Sequence, residues 1–333
     1  MSVANILSMA GGLGLFLFGI RTMGDGLENA AGAKLKRMLE VLTGNRFLAV
    51  LVGFVVTAII QSSTATTVMV VGFVNAGMMS LAQAVGVIMG ANIGTTVTSL
   101  LIALNFSSVA AAAVLVGVIL MLAAHQSVVK DLGAIFAGFG QLFLGFDMMA
   151  DSMAPLRESA GFMNFIVTVS ESPLHPLFGI ILGIVMTAVL QSSSASVGVL
   201  QTLAMQGLVP LKFSVFVLFG QNIGTCLTAL FSTVGAKKNS KRAAVIHLLF
   251  NLIGTGIFIL IALLTPYVEW IEKLSPDPMA QIAISHIVFN IVSTVVMFPF
   301  AKVLVKLSCL LVPGKDDSES EMHCKFIDDR LLN

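Results

Sequence analysis

The chain has 333 residues, of which 57% are hydrophobic and 11% charged, and its formal net charge at pH 7 is +1. A soluble domain carries roughly 25% charged residues, and a soluble fold of this length cannot hide so much apolar surface. The composition therefore excludes a soluble protein and predicts a polytopic all-α membrane protein in contact with the lipid bilayer. The near-neutral charge also argues against a nucleic-acid partner.

The first unit of the chain, residues 1–124, contains three apolar segments that we predict to cross the bilayer. They are 3–20, 82–104 and 109–124. Another apolar segment, 47–76, is interrupted halfway by Gln61 and the three polar residues after it. Each of its arms would be roughly 20 Å long, which reaches the middle of a bilayer without spanning it. We therefore predict a re-entrant helical hairpin, and one long tilted span is the alternative.

The second unit, residues 132–265, repeats the polar motifs of the first. Six positions are identical between Thr57-Ala58-Ile59-Ile60-Gln61-Ser62-Ser63-Thr64-Ala65-Thr66 and Thr187-Ala188-Val189-Leu190-Gln191-Ser192-Ser193-Ser194-Ala195-Ser196. Asn92-Ile93-Gly94-Thr95 returns as Asn222-Ile223-Gly224-Thr225, and Leu15-Phe16-Leu17-Phe18-Gly19 resembles Leu142-Phe143-Leu144-Gly145. In both units 31 positions separate the Gln from the Asn. Two polar motifs at one spacing indicate a duplication and predict a second hairpin at 174–206.

The positions of Lys and Arg indicate how the two units are oriented, because these residues accumulate in cytoplasmic loops. Segment 21–46 carries Arg21, Lys34, Lys36, Arg37 and Arg46, whereas the matching segment 151–173 carries only Arg157. Segment 105–108 carries no Lys or Arg, whereas the matching segment 232–242 carries four. Equivalent loops on opposite sides predict two inverted-topology repeats, each with a hairpin and broken helices. Parallel repeats with an accidental reversal of charge are the alternative.

The end of the chain adds two further elements to the repeats. We predict an extra transmembrane helix at 281–311 and a cytoplasmic polar tail at 313–333. The protein would then be a multi-pass protein of the cytoplasmic (inner) membrane with a cytoplasmic C-terminus.

Two hairpin tips that enter from opposite faces would meet at the midplane of the membrane. A broken helix exposes N–H groups that attract an anion and C=O groups that suit a small cation. Neither motif contains Asp, Glu, Lys or Arg, which predicts a neutral-ligand site where bound sodium offsets the charge of the anion. The glycine of each Asn-Ile-Gly-Thr motif predicts a helix that is either unwound or closely packed there.

A His-x-x-Phe-Asn pattern also occurs twice, at His247 to Asn251 and at His286 to Asn290. Residues four apart share one face of a helix, so we expect hydrogen bonds between neighbouring helices. A role in proton or metal binding is the alternative.

The doubled Gln-Ser-Ser-(Ser/Thr) and Asn-Ile-Gly-Thr motifs resemble the type II sodium–phosphate cotransporter family and its bacterial relatives over nearly all of 1–311. The resemblance implies a symporter of inorganic phosphate with sodium as the coupling ion, no other cofactor and no enzymatic activity. It places phosphate near Gln61, Ser62, Ser63, Thr64, Ser192, Ser193 and Ser194. It assigns sodium to Gln61, Gln191, Asn92, Thr95, Asn222 and Thr225. Thr64 stands where the family pattern has Ser, and the acidic core residue of electrogenic members has no obvious counterpart.

Other functions and partners stay open at this point. The same fold could carry or export another small anion, or act as a membrane phosphate sensor. The segment from Phe326 to Asn333 resembles the linker that leads to a PhoU-type regulatory domain in bacterial members, and a short disordered acidic tail is the alternative. Besides phosphate and sodium, a second copy of the chain and a PhoU-type domain or protein are candidate partners.

Overall fold

The computed structural model describes residues 2–31, 38 and 45–314. Over these residues the chain forms fourteen α-helices and one short 3₁₀ turn, with no strand. The helices are α1 (Val3–Ala31), α2 (Arg46–Ile60), α3 (Ser63–Asn75), α4 (Leu81–Ala103), α5 (Ser107–Ala123), α6 (Ser127–Met153), α7 (Ala160–Glu171), α8 (His175–Leu190), α9 (Ser193–Met205), α10 (Leu211–Phe231), α11 (Lys238–Leu264), α12 (Tyr267–Leu274), α13 (Pro278–Met297) and α14 (Ala301–Leu311). The all-α prediction is confirmed.

Six of the described helices are long and apolar enough to cross a membrane, namely α1, α4, α6, α10, α11 and α13. They confirm a multi-pass membrane protein, although the segments differ in detail from those predicted. The first crossing continues past residue 20 to Ala31, and α5 has only 17 residues. The segment 281–311 is not one helix, because α13 ends at Met297 and α14 begins at Ala301. The basic residues Lys34, Lys36 and Arg37 and the tail from Lys315 onward lie outside the described residues.

The segment predicted as the first hairpin forms α2 and α3. Glycines of α4 abut carbonyl oxygens of α2, each 40 positions earlier: Gly86 on Arg46, Gly90 on Val50 and Gly94 on Phe54. A constant offset means that α2 and α4 run parallel and begin at the same end. Helix α3 must therefore bring the chain back, which makes α2 and α3 a helical hairpin. A hydrogen bond of 2.9 Å from Thr57 Oγ1 to Thr66 Oγ1 joins its two arms.

The second hairpin, α8 and α9, repeats this arrangement. Gly220 and Gly224 of α10 abut the carbonyl oxygens of Ile180 and Ile184, again 40 positions earlier. Helices α4 and α10 are continuous through both Asn-Ile-Gly-Thr motifs, so they are not unwound there. Instead, the glycines allow close packing, because a Cβ on Gly94 or Gly224 would press on the Thr of the adjacent hairpin arm at 2.6 or 2.8 Å.

Helices α1, α5 and α6 pack closely together beside the hairpins. Gly12, Gly19 and Gly26 of α1 abut the carbonyl oxygens of Gly145, Gly138 and Asp131 of α6. The residue numbers in these contacts rise along α1 as they fall along α6, which means that the two helices are antiparallel. Since α1 and α6 carry matching sequences, this packing supports inverted repeats, whose topology stays a prediction.

Two of the four polar side chains of the His-x-x-Phe-Asn pattern join helices, as predicted, whereas Asn290 Nδ2 donates to His286 O in its own helix. His286 Nδ1 of α13 lies 3.2 Å from Ser99 Oγ of α4, and Asn251 Nδ2 of α11 donates to Asn92 Oδ1 of α4 over 3.4 Å. The ring nitrogens of His247 have no hydrogen-bond partner among the described residues.

The base of the first hairpin is the end opposite its tip, where α2 begins at Arg46 and α3 ends at Asn75. The start of α11 connects this base to the end of α14. Arg242 is buried and donates to the carbonyl oxygens of Val312 and Gly314 at 3.1 and 2.6 Å. Ser240 Oγ donates to Asn75 Oδ1, at the end of α3, over 3.0 Å. Residues 312–314, which follow α14, therefore lie at the same end of the molecule as the hairpin base.

Replacing Arg242 by Gln is expected to lower the free energy of unfolding by about 2–3 kcal/mol, because two carbonyl oxygens lose a charged donor. The measurement is the thermal unfolding temperature of the detergent-solubilised protein. Lys241→Gln is the matched control, since Lys241 is the exposed neighbour of Arg242. Equal unfolding temperatures for the two variants would contradict this account of Arg242.

Candidate functional site

The two hairpin tips and α1 enclose a cavity of about 460 Å³. The first tip contributes Gln61, Ser62, Ser63 and Thr64 to its wall, and the second contributes Gln191, Ser192, Ser193 and Ser194. The two repeated motifs, 130 positions apart in the sequence, thus line one cavity. Every residue that the resemblance assigns to phosphate lies in this wall, and its binding role stays a prediction.

The first tip is shaped by its own polar residues. Gln61 has a left-handed backbone (φ 58°), which is uncommon outside glycine, and its N–H donates to Thr57 O to close α2. Ser62 is extended, and its Oγ accepts a 3.1 Å hydrogen bond from Ala65 N at the start of α3. Ser62 is therefore the N-cap of α3, and the motif itself interrupts the hairpin.

The second tip has the same backbone. Gln191 has φ 51°, its N–H donates to Thr187 O, and Ser192 Oγ accepts from Ala195 N over 3.2 Å. Side chains differ more than backbones, because Gln61 is buried whereas Gln191 is exposed. The repeated sequence therefore produces two equal helix breaks with unequal side-chain environments.

Two helix N-termini, those of α3 and α9, meet at the cavity. The first N–H groups of a helix have no acceptor within the helix and carry partial positive charge. After the bonds to the N-caps, this leaves the N–H groups of Ser63 and Thr64 at one tip and of Ser193 and Ser194 at the other. The buried Ser63 Oγ also has no hydrogen-bond partner among the described residues. These groups can donate hydrogen bonds to an oxyanion.

Thr98 of α4 connects the two tips. Its Oγ1 donates to Gln61 Oε1 over 2.8 Å and accepts from Ser194 Oγ at 3.3 Å. The sequence motifs did not point to Thr98, although it lies one helical turn after Thr95. Its counterpart Thr228 donates instead to the carbonyl oxygen of Thr225, so this connection occurs in the first repeat alone.

The predicted sodium ligands separate into two groups. Gln61 and Gln191 line the cavity, whereas Asn92, Thr95, Asn222 and Thr225 do not. Each of these four donates to the carbonyl oxygen four residues earlier in its own helix. Their side-chain oxygens are buried in the helices behind the tips, and a sodium role for them stays a prediction.

Charged residues of α1 also line the cavity. They are Arg21, Asp25 and Glu28, which lie outside both motifs. The cavity wall is therefore charged on the α1 side and neutral at both tips, and the neutral-ligand site stays a prediction. The motifs could not reveal these residues, because α1 lies outside both motifs and its packing against the tips depends on the tertiary structure.

Comparisons with known proteins identify related chains. A model of the family described as "Na+/Pi-cotransporter" matches residues 15–151 and 159–275. The uncharacterised protein YqeW of Bacillus subtilis is 33% identical over 303 residues, which are 90% of this chain and 96% of YqeW. YjbB of Escherichia coli K12, whose given name proposes inorganic phosphate export, is 25% identical over 98% of this chain, which spans 60% of YjbB.

A shorter similarity reaches an animal transporter. The sodium-dependent phosphate transport protein 2A of Rattus norvegicus is 32% identical over 98 residues, which are 29% of this chain and 15% of that protein. No solved structure matches the chain.

Proposed function

Because this chain belongs to the Na+/Pi-cotransporter family, we propose that it moves inorganic phosphate across the membrane by sodium-coupled symport. The observation that carries the proposal is the convergence of two helix N-termini on one cavity lined by hydroxyl groups. Family membership supports transport rather than catalysis.

Phosphate would lie between the two tips. The N–H groups of Ser63 and Thr64 and those of Ser193 and Ser194 would donate to its oxygens from two sides. The hydroxyl of Ser63 would donate in addition, since no described residue uses it. A tetrahedral anion presents acceptor oxygens in every direction, which suits donors that approach from two sides.

Sodium would bind next to the anion. The carbonyl groups at the C-terminal ends of α2 and α8, together with the side-chain oxygens of Gln61 and Gln191, are neutral hard ligands that suit it. The bound cation would offset the charge of phosphate in surroundings of low dielectric constant. Sodium and phosphate would then strengthen each other's binding, which couples their movement.

The side of the membrane can be argued from charge. Arg46, Arg242 and the chain leaving α14 lie at the base of the first hairpin, together with the basic start of α11. Because Lys and Arg favour the cytoplasmic side, we assign this end and the C-terminus to the cytoplasm of the inner membrane. A PhoU-type partner and a homo-oligomer stay predictions.

Export is the second candidate function. YjbB, which is similar to almost the whole of this chain, is named for a proposed role in phosphate export. Symport accumulates phosphate inside proteoliposomes when the sodium gradient points inward, whereas antiport accumulates it when the gradient points outward. One preparation of proteoliposomes can therefore distinguish uptake from export.

The experiment is uptake of radiolabelled phosphate into proteoliposomes. With an inward sodium gradient we expect accumulation above the equilibrium level and none with matched potassium. Gln61→Ala should remove this accumulation, because it deletes a cavity side chain and the acceptor of Thr98. Gln126→Ala, at an exposed position before α6, is the matched control.

Accumulation driven by an outward sodium gradient would instead indicate antiport and support export. Accumulation of sulfate or a dicarboxylate without accumulation of phosphate would contradict the phosphate assignment and indicate another anion. Binding of phosphate without any transport would favour the sensor.

A further inference from the structure

All three charged residues of the cavity wall lie on one face of α1. Arg21, Asp25 and Glu28 are spaced by four and three positions, which places them on neighbouring turns of the same face. Arg21 is the one cation among the described residues that line the cavity. The cavity thus has a neutral side formed by the tips and a charged side formed by α1.

Helix α1 is held close to the first tip. A Cβ on Gly24 would lie 2.8 Å from the carbonyl oxygen of Ile60, the last residue of α2. Only glycine allows this approach without displacing the backbone. Because Gly24 lies between Arg21 and Asp25, both side chains emerge beside the tip.

Arg21 and Asp25 are only loosely paired. Arg21 Nε lies 3.8 Å from Asp25 Oδ2, and the side chains are 82% and 64% exposed. Exposed ion pairs of this kind contribute little free energy, so an incoming anion can compete for the arginine. Guanidinium groups bind phosphate oxygens through charge-assisted hydrogen bonds, which are stronger than those from hydroxyls or amides.

The second repeat has no equivalent arginine. With Met23 matched to Met149 and Asp25 to Asp151, the counterpart of Arg21 is Asp147. Asp147 accepts a 2.8 Å hydrogen bond from Ser107 Oγ and does not line the cavity. The positively charged side chain of the cavity wall is therefore confined to the α1 side.

We propose that Arg21 is the anion-recognising residue of the cavity, which exchanges Asp25 for a phosphate oxygen when the substrate binds. Asp25, released from the arginine, and Glu28, one turn further along α1, then attract the sodium ion that enters with it. This inference rests on the proposed function and deepens it, because it assigns charge selectivity to α1.

The first test is phosphate binding to the purified protein at fixed sodium concentration. Arg21→Gln should weaken phosphate binding by about 10- to 30-fold, whereas Arg21→Lys, which keeps the charge, should weaken it by less than about 5-fold. Arg157→Gln, which removes an exposed arginine outside the cavity, is the matched control. Equal affinities of Arg21→Gln and Arg157→Gln would overturn the proposal.

The second test concerns Asp25. Asp25→Asn should raise phosphate affinity in the absence of sodium, because it frees the arginine. It should also reduce the factor by which sodium increases phosphate affinity, because a cation-attracting carboxylate is lost. The exchange of Asp25 for phosphate would be contradicted if Asp25→Asn changed neither the phosphate affinity without sodium nor the increase in affinity that sodium causes.

A third measurement avoids variants altogether. Phenylglyoxal modifies accessible arginines, and mass spectrometry measures its rate at each position in the native chain. Phosphate with sodium should slow the modification of Arg21 several-fold and leave Arg157 unaffected. Equal rates at Arg21 with and without phosphate would overturn the proposal even if Arg21→Gln failed to fold.

These outcomes are separable from a failure of the proposed function. If the wild-type protein binds sulfate rather than phosphate, the phosphate assignment fails, and a loss of sulfate binding in Arg21→Gln still supports Arg21 as the anion-recognising residue. If the wild-type protein binds phosphate and Arg21→Gln binds it equally well, the function stands and this inference fails.

Discussion

Replacing Ser63 and Ser193 together by Ala is expected to reduce sodium-dependent phosphate transport by roughly 100-fold or more, with the fold retained. Both residues open the second arm of their hairpin and line the cavity. Neither hydroxyl bonds to another described residue, so its loss leaves no protein group unpaired. Two hydrogen bonds to a charged ligand, at about 1.5–3 kcal/mol each, account for the size of the effect.

The preceding serines should behave differently. Ser62 and Ser192 are N-caps, and their replacement by Ala should cost about 1 kcal/mol of stability each. Comparison of unfolding temperature with transport rate separates the two roles. Ser308→Ala is the matched control, because Ser308 is buried in α14 and bonds within its own helix. A double variant of Ser63 and Ser193 that transports at the rate of this control would contradict binding by the tips.

Gly90→Ala is expected to prevent stable folding, whereas the same substitution at Gly72 should be tolerated. A Cβ on Gly90 would lie 1.9 Å from the carbonyl oxygen of Val50, a backbone atom that cannot rotate away. Gly53 faces Val87 O almost as closely, so α2 and α4 would have to separate along their length. We expect a cost above about 3 kcal/mol, the upper end for overpacked interiors.

Gly72 provides a matched control on the same hairpin. A Cβ there meets no atom within 4 Å, and Ala is favoured over Gly in a helix by about 0.5–1 kcal/mol. The yield of monodisperse protein in size-exclusion chromatography measures folding of each variant. Gly220→Ala and Gly256→Ala form a second such pair, in which Gly256 lies on α11 and a Cβ there also meets no atom within 4 Å. Normal yield of Gly90→Ala would show that α2 and α4 are packed less closely than described.

The repeated motif explains why much of the site was predictable. Gln61 and Ser62 break the helix through their own backbone and side-chain bonds, within three or four residues, and Gln191 and Ser192 do the same. Such local interactions depend on adjacent residues alone. Hairpin limits were consequently predicted to within one residue at 47–76 and 174–206, against helix ends at Arg46, Asn75, His175 and Met205.

Other features depended on packing between distant segments. Asn92 and Thr95 have the composition of cation ligands, yet their side chains point into helix contacts behind the tips. Thr98 has no distinctive sequence context, yet it bonds to both tips. Which neighbouring segment a helical side chain contacts depends on how the whole helix packs. The motif does not contain that information.

The sequence by itself determined a helical membrane protein, its duplication and the two helix breaks, because hydropathy and local hydrogen bonding depend on composition and near neighbours. Only the tertiary structure decided that both tips line one cavity and that Arg21, Asp25 and Glu28 complete its wall. Those contacts join segments far apart in the chain, and they follow from glycine-mediated approach of whole helices. Helix approach is a property of the packed molecule, since each close contact requires a complementary surface on another segment.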